Sequence, residues 1–270
     1  MIVDADSVAD EGLLAGLACH LDGGADAVQA QYLALEEEDS LNGRLRVAAF
    51  LLFHRTRFAG RAVLRLPCSL VGNGMLLSRR LLEAHPWTAY SAAEDLEYSV
   101  DLRLAGVKPV FAGAALVRGP VSSSGVAAKV QRQRWEGGRL RVIRAQLPSL
   151  VASVVRDRRM SLVDAAVDLA VPPLGILALL ALTGAGATAA LVPFGAAPAW
   201  LVAPWVIAVV GLVGYIFVGL AAAGATRSSY VALIAAPVFL VKKAVGAAGV
   251  VRASHRDTWI RTVRPSERGV

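Results

Sequence analysis

Asp4-Ala5-Asp6 directly follows the apolar pair Ile2-Val3. In an extended segment, residues two apart project to the same side, so a strand end here offers two carboxylates to one hard cation. Mg²⁺ or Mn²⁺ suits such oxygen ligands, with phosphate oxygens and waters completing the shell; the plainer account is turn chemistry, in which Asp is common. A second group is Ser91-Ala92-Ala93-Glu94-Asp95-Leu96-Glu97. Ser91 and Glu94 satisfy a capping box, which explains Glu94 and leaves Asp95 over. Asp95 is then a helix-start acid or, in a closed pocket, a base for a hydroxyl proton. The third group is Gln131-Arg132-Gln133-Arg134-Trp135. On a helix Gln131, Arg134 and Trp135 share a face that Gly138 extends without bulk, while Arg132 lies to one side. Guanidinium groups grip phosphate oxygens, and an indole is a platform for the apolar face of a sugar. The alternative is a juxtamembrane basic helix with an anchoring Trp.

Other residue types exclude more than they suggest. Cys19 and Cys68 form neither a Cys-x-x-Cys pair nor a zinc-spaced set, and His20, His54, His85 and His255 are scattered. There is no Walker A loop and no Gly-x-Gly-x-x-Gly; Gly72-Asn73-Gly74 reads as a tight turn or close-approach loop.

The elements that must position these groups alternate in the front half. A strand remnant at Met1–Val3, helix at Leu13–Cys19, strand at Ala27–Leu33, helix at Leu45–Phe58 and strand at Val107–Phe111 give an α/β layout. Leu96, Val100 and Leu104 line one face of the helix that opens near Glu94, and Gly106 stops it.

Composition separates this half from the rest. The 270 residues are 56% hydrophobic and 18% charged, too apolar for an ordinary water-soluble domain. Residues 1–128 carry 11 Lys/Arg against 15 Asp/Glu, whereas residues 129–270 carry 17 against 6. The acidic front predicts a water-soluble domain, and the basic, apolar back a membrane-associated one. The basic residues flank apolar runs, as cytoplasmic flanks of membrane helices do, so nucleic-acid binding is not expected.

Residues 169–226 contain no Asp, Glu, Lys or Arg. Each crossing takes about 20 apolar residues, so this run predicts two transmembrane helices, near Leu169–Leu191 and Ala199–Ala223, with a turn at Pro193–Pro198 and Trp200 and Trp205 at an interface. The apolar run Tyr230–Val241 is short for a crossing and reads as an interfacial or re-entrant helix; a third crossing would put the C-terminal tail outside. Leu140, Ile143, Leu147, Leu150, Val151 and Val154 approximate a stripe on a basic amphipathic helix at the membrane surface. The expected segments are 1–137 catalytic-type α/β, 138–160 amphipathic helix, 161–226 two membrane helices, 227–252 interfacial or re-entrant helix, and 253–270 basic cytoplasmic tail. No signal peptide is visible at the N-terminus, so the front domain is expected in the cytoplasm of a multi-pass cell-membrane protein.

In this order, Asp4-Ala5-Asp6, Gly72-Asn73-Gly74-Met75, Glu94-Asp95, Gln131-Arg132-Gln133-Arg134-Trp135 and two membrane helices resemble a membrane-integrated family 2 glycosyltransferase of the branch containing cellulose, hyaluronan and poly-N-acetylglucosamine synthases. Trp259-Ile260-Arg261-Thr262 looks like a closing element of related bacterial enzymes. The resemblance implies a GT-A catalytic domain at the cytoplasmic face that moves a sugar with inversion from a nucleotide-sugar donor to a glycan or lipid-linked acceptor. It implies Asp4 near the nucleotide, Asp6 on Mg²⁺ or Mn²⁺, and Asp95 as general base. It further implies Gln131, Arg132 and Arg134 at the diphosphate, with Trp135 and the Gly72-Asn73-Gly74 loop at the acceptor. Family members place a nucleotide-binding half before Asp-x-Asp, so the α/β domain is expected to be an incomplete Rossmann-like one, with a fragment or a partner chain accounting for the rest. The competing expectation is an inactive membrane scaffold that keeps the motifs; a transporter or channel is disfavoured because the spans contain no charge.

Overall fold

The computed structural model describes residues 1–35, 40–120 and 125–253, without the side chains of residues 125–129, 132 and 247–253. The expected closing element at Trp259–Thr262 therefore lies outside the described residues, as does the side chain of Arg132. In chain order the elements are β1 (Val8–Ala9), α1 (Leu13–Asp22), β2 (Ala27–Ala34), α2 (Leu41–Leu51), α3 (Phe58–Val63), β3 (Met75–Leu77), α4 (Arg79–Ala84), α5 (Glu94–Leu104) and β4 (Val110–Gly119). There follow α6 (Gly125–Val155), α7 (Val163–Ala170), α8 (Leu174–Leu191), α9 (Ala203–Ala222), α10 (Arg227–Val231) and α11 (Ala236–Ala253). The described residues divide into two units, one within Met1–Glu38 and Phe53–Val171, the other within Asp39–Leu52 and Pro172–Ala247.

The first unit is built on a mixed four-stranded sheet in the order β1-β4-β2-β3, with β2 and β4 parallel and both outer pairings antiparallel. Ala27, Val28, Gln29 and Ala30 of the inner strand β2 are fully buried. The register of β2 on β4 jumps between Ala30 and Gln31, whose partners are Ala112 and Leu116. The extra β4 residues bulge towards α1, where Gly16 leaves room for Ala115. The opening segment differs from the expected strand: Ile2 makes a single antiparallel bridge to Met75, because a turn starts at Asp4, whose carbonyl accepts from Ser7 N–H at 3.0 Å.

Helix α5 stops as expected. Gly106 N–H donates to Arg103 O at 3.0 Å and Val107 N–H to Leu102 O at 2.9 Å, the paired bonds of a Schellman ending. Its start corrects the capping-box reading. Ala93, not Ser91, is the N-cap residue, and Ser91 Oγ accepts from Ala93 N–H at 3.3 Å, two positions too early to cap the helix. Glu94, Asp95 and Glu97 in the first turn meet the helix dipole directly.

Val100 of α5, Val142 and Leu150 of α6, and Leu162, Ala165 and Leu169 around α7 form one core cluster, against which Leu96, Leu104, Ile143, Leu147 and Val154 pack. The stripe on α6 that the sequence assigned to a membrane surface is thus largely covered by protein. The proposed boundary at residue 138 also disappears, since α6 runs unbroken from Gly125 to Val155. The opposite face of α7 is held by charge. Asp168 accepts from Arg57, from Arg61 at 3.0 Å and from Ser69 Oγ at 2.8 Å, and Asp164 accepts from Arg61 at 2.6 Å and Arg103 at 3.3 Å. Arg139 of α6 donates to the carbonyls of Asp168, Leu169 and Val171, which closes the C-terminal turn of α7.

In the second unit Ala48, Leu52 and Leu220 are buried together, flanked by Leu51, Leu174, Ile216, Tyr230 and Leu233. The helices α8 and α9 meet where Gly184 leaves space for the Trp205 ring, a contact any Cβ at 184 would invade at 2.5 Å. Trp205 thus packs on α8 while remaining 36% exposed, and Trp200 is 69% exposed. The first span begins at Leu174 and not near Leu169, because Pro172-Pro173 separates it from α7. Three helical stretches, Leu174–Phe194, Ala199–Ala222 and Arg227–Gly246, are long and apolar enough to cross a membrane. The third corrects the length argument made from Tyr230–Val241: α10, a 3-10 turn at Ala232–Ala235 and α11 join into one 20-residue stretch. Outward side chains such as Ile207 (71% exposed) and Val218 (70%) need an apolar medium. Thr183 and Thr188 turn their hydroxyls back to Leu179 O and Gly184 O, so both are satisfied within α8.

Burial alone would raise the Asp168 carboxyl, but Arg57 and Arg61, with the Ser69 hydrogen bond, outweigh it and hold it below the usual carboxylate range. The stability it contributes is therefore present above pH 4 and lost as the pH falls further. Asp168→Ala takes the carboxylate from Arg57 and one of two carboxylates from Arg61, and should destabilise the first unit by about 2–4 kcal/mol. Thermal unfolding of the two proteins at pH 7 and pH 3.5 checks both statements: the difference in melting temperature is expected to narrow in acid.

Candidate active site

Gln29 is the root of the site. Its side chain lies within the sheet layer, fully buried, with Nε2 donating to Asn73 O at 2.7 Å and Ala30 O at 3.0 Å, and Oε1 accepting from Val71 N–H at 3.0 Å. The β2 strand therefore fixes the loop 71–74 through one amide. That loop fixes the next segment in turn: Asn73 Oδ1 accepts from Asp4 N–H at 3.2 Å, and Asn73 Nδ2 donates to Ser7 Oγ at 2.7 Å. Both ends of the Asp4–Ser7 turn hang on one buried asparagine.

Gly72 and Gly74 have φ of +79° and +75° and supply the left-handed backbone that this loop needs. At Gly72 an added Cβ would lie 3.2 Å from Asp95 Oδ2, so the bare backbone here lets the carboxylate approach the loop. The other oxygen, Asp95 Oδ1, accepts from Leu96 N–H at 2.8 Å. Asp95 is thus oriented by the first turn of α5, with Oδ2 turned to Gly72. Burial above all, with the neighbouring Glu94 and Asp4 charges, pushes its carboxyl up to about 6 against the backbone hydrogen bonds that lower it. Asp4 is also raised, first by burial and then by Asp6 and Glu94, while Arg134 opposes the shift. Tyr32, hydrogen-bonded to Asn73 and in the field of Asp4 and Asp6, stands on the same side of the sheet end.

Arg134 reaches this group because α6 passes very close to the segment before α5. A Cβ at Gly138 would lie 2.9 Å from Ala93 Cβ and 3.3 Å from the Ala92 carbonyl carbon, so glycine permits the crossing one turn beyond Arg134.

The residues singled out by spacing thus separate into two sets. Asp4, Asp6, Asp95 and Arg134 come into one electrostatic neighbourhood, with Gly72 at Asp95. Asn73 differs from its expected place on an acceptor surface: it is 1% exposed and its amide is spent on the Asp4–Ser7 turn. Gln131 is partly buried and Trp135 is 43% exposed on the same helix. Among the described residues no group of three or more His, Cys, Asp and Glu is arranged to hold a metal. Gln29, Ser7 and Tyr32 were missed by spacing; the available signal was two glutamines, Gln29 and Gln31, and a tyrosine inside the otherwise apolar strand Ala27–Ala34.

Gln29→Leu keeps the volume but leaves Val71 N–H and Asn73 C=O without partners inside the protein, at about 1–3 kcal/mol for each buried group. A lower melting temperature with faster amide exchange confined to residues 71–74 and 4–7 is the expected outcome; unchanged protection there would show that the loop does not depend on Gln29.

No curated protein matches the chain. The family model described as glycosyl transferase family group 2 matches residues 1–241, which contain every one of these side chains and the three apolar helices up to Val241. The chain belongs to glycosyl transferase family group 2.

Proposed function

We propose that the protein transfers a sugar with inversion from a nucleotide-sugar donor to a glycan or lipid-linked acceptor at the cytoplasmic face of the cell membrane. The observation that carries this reading is the Asp95 carboxyl, oriented by Leu96 N–H and held next to Gly72 within a cluster that contains Asp4, Asp6 and Arg134. Asp95, with its proton affinity raised towards neutrality, takes the proton of the acceptor hydroxyl as that oxygen attacks the anomeric carbon. The bond to the nucleoside diphosphate breaks on the opposite side. Arg134, with Gln131 and Arg132 on the same helix, meets the charge that develops on the departing diphosphate. Asp4 faces the nucleotide, and the exposed Trp135 offers the acceptor a ring face. The carboxylates Asp4 and Asp6 supply the oxygen ligands that suit a hard divalent cation, and Asp6 is the ligand proposed for Mg²⁺ or Mn²⁺, which would offset charge at the diphosphate.

Two crossings, α8 and α9, with the third helical stretch at the interface or re-entrant, keep Lys242, Lys243 and Arg252 on the same side as the basic flank before α8, in line with the positive-inside preference. A cysteine added after Val270, in a protein whose Cys19 and Cys68 are replaced by Ala, should resist an impermeant maleimide on intact cells and react after permeabilisation. Labelling of intact cells would instead establish three crossings.

The transfer itself is tested with purified full-length protein, Mn²⁺ and labelled UDP- and GDP-sugars. Asp95→Asn should retain donor binding and lose at least about 100-fold in turnover. Wild-type kcat/KM should rise as the pH passes through about 6, the point to which the Asp95 carboxyl is pushed. A raised pKa also means that the ionised form costs stability: the fold favours the neutral acid, so stability declines from pH 3.8 through 6. Asp95→Asn is thus expected to melt higher than wild type at pH 7.5, by an amount on the order of 1 kcal/mol, and no higher at pH 4. A variant that keeps full turnover, or a wild-type protein that binds none of the donors, would remove the proposal.

A further inference from the structure

A cavity of about 350 Å³ lies beside the start of α5, lined by Thr88, Tyr90, Ser91, Glu97, Arg141 and Gln146. It is separate from the carboxylate cluster. Its α6 residues follow the close crossing at Gly138, whereas Arg134 precedes it, about 10 Å earlier along the helix axis.

The wall is polar, and one of its amides is held in place by the protein itself. Gln146 Nε2 donates to Asp101 Oδ1 at 2.6 Å and to Glu97 O at 3.4 Å, which fixes the amide and leaves Oε1 without a donor. Glu97 Oε2 is likewise buried without a donor. Hydroxyls of Thr88 and Ser91 and the Arg141 guanidinium complete a polar lining.

An aromatic ring stands at the rim. Tyr90 is 85% exposed and its hydroxyl donates to Trp87 O at 3.3 Å. Trp87 donates from Nε1 to Ala89 O at 2.8 Å and packs on Tyr98 at 4.4 Å between ring centroids, so the loop that presents Tyr90 is anchored to the core. A fixed, exposed ring beside acceptor oxygens and hydroxyls matches a pyranose, which has one apolar face and donors around its edge. Glu97 and Arg141 in the lining carry opposite charges, so the cavity has no net charge that would select a phosphate or a sugar acid.

We propose that this cavity is a second carbohydrate subsite, which holds a neutral sugar unit of the acceptor one helix crossing away from the point of transfer. The proposal rests on the transferase reading for its meaning, while its test does not depend on turnover. The probe is an array of α- and β-linked neutral hexose and N-acetylhexosamine oligosaccharides of one to four units, applied to full-length wild-type, Asp95→Asn, Tyr90→Ala and Gln146→Leu proteins. Wild type and Asp95→Asn should bind a common subset of the longer glycans. Tyr90→Ala, a surface change, should weaken that binding about tenfold, and Gln146→Leu several-fold, with melting temperatures recorded alongside. Equal binding by wild type and Tyr90→Ala overturns the proposal, as does a wild type that consumes donor yet binds no glycan on the array. Glycan binding that Tyr90→Ala loses, in a protein that consumes no donor, leaves the subsite standing and removes the transferase reading.

Discussion

The amide of Gln29 is the constraint on which the site is built. A central strand has its backbone committed to its neighbours, so it can direct an adjacent loop only through side chains. Gln29 does this with both ends of one group, taking Val71 N–H and giving to Asn73 O, and Asn73 passes the order on to the Asp4–Ser7 turn. Two segments some 70 residues apart are thereby held to one strand without any bulky contact. Because its two amides, Gln29 and Asn73, are buried and hydrogen-bonded, the network is rigid for the same reason that breaking it is costly.

Rigidity matters because the charges gathered here repel one another. Asp4 feels Asp6 and Glu94 against the opposing charge of Arg134, Asp95 feels Glu94 and Asp4, and burial adds to the penalty on Asp4 and Asp95. Left to itself such a cluster would spread into solvent. The surrounding framework prevents that with opposite means on the other flank, where Asp164 and Asp168 meet Arg57, Arg61 and Arg103 and the sign of the imbalance is reversed. Unit stability thus comes from a cation-rich network and a packed α5–α6–α7 core, while the carboxylate cluster draws on it.

Much of this was legible in the sequence, because the signals were local. The stop of α5 at Gly106, the shared helical face of Arg134 and Gly138, and the paired apolar runs of α8 and α9 each follow from residues within a few positions of one another. What escaped depends on partners distant in sequence. The stripe on α6 has the same composition whether acyl chains or Leu162 and Leu169 cover it, so periodicity alone could not choose. Asn73 looks like a turn residue, and its burial became visible only with Asp4 and Ser7 beside it. The third apolar run was judged from its uncharged residues, but a helix continues for as long as its backbone bonds do, and Arg227 and Lys242-Lys243 fall inside the stretch. Ser91 has the spacing of a cap, yet the helix starts two residues later, where no side-chain cap is needed because the first turn carries three carboxylates.

The two ends of α6 have different duties, and the helix is long because both are needed. Near its middle Gly138 sets the approach to Ala93 and so the reach of Arg134; one residue later Arg139 turns the other way and takes the carbonyls of Asp168, Leu169 and Val171. Residue 171 is the last before Pro172-Pro173, where the chain leaves the first unit for its apolar helices. A rotation of α6 that moved Arg134 off the carboxylates would have to pull Arg139 from three carbonyls that have no other way to finish their helix. The position of the arginine in the site and the end of the unit's last helix are therefore set by adjacent side chains on one rigid rod, and neither can relax alone.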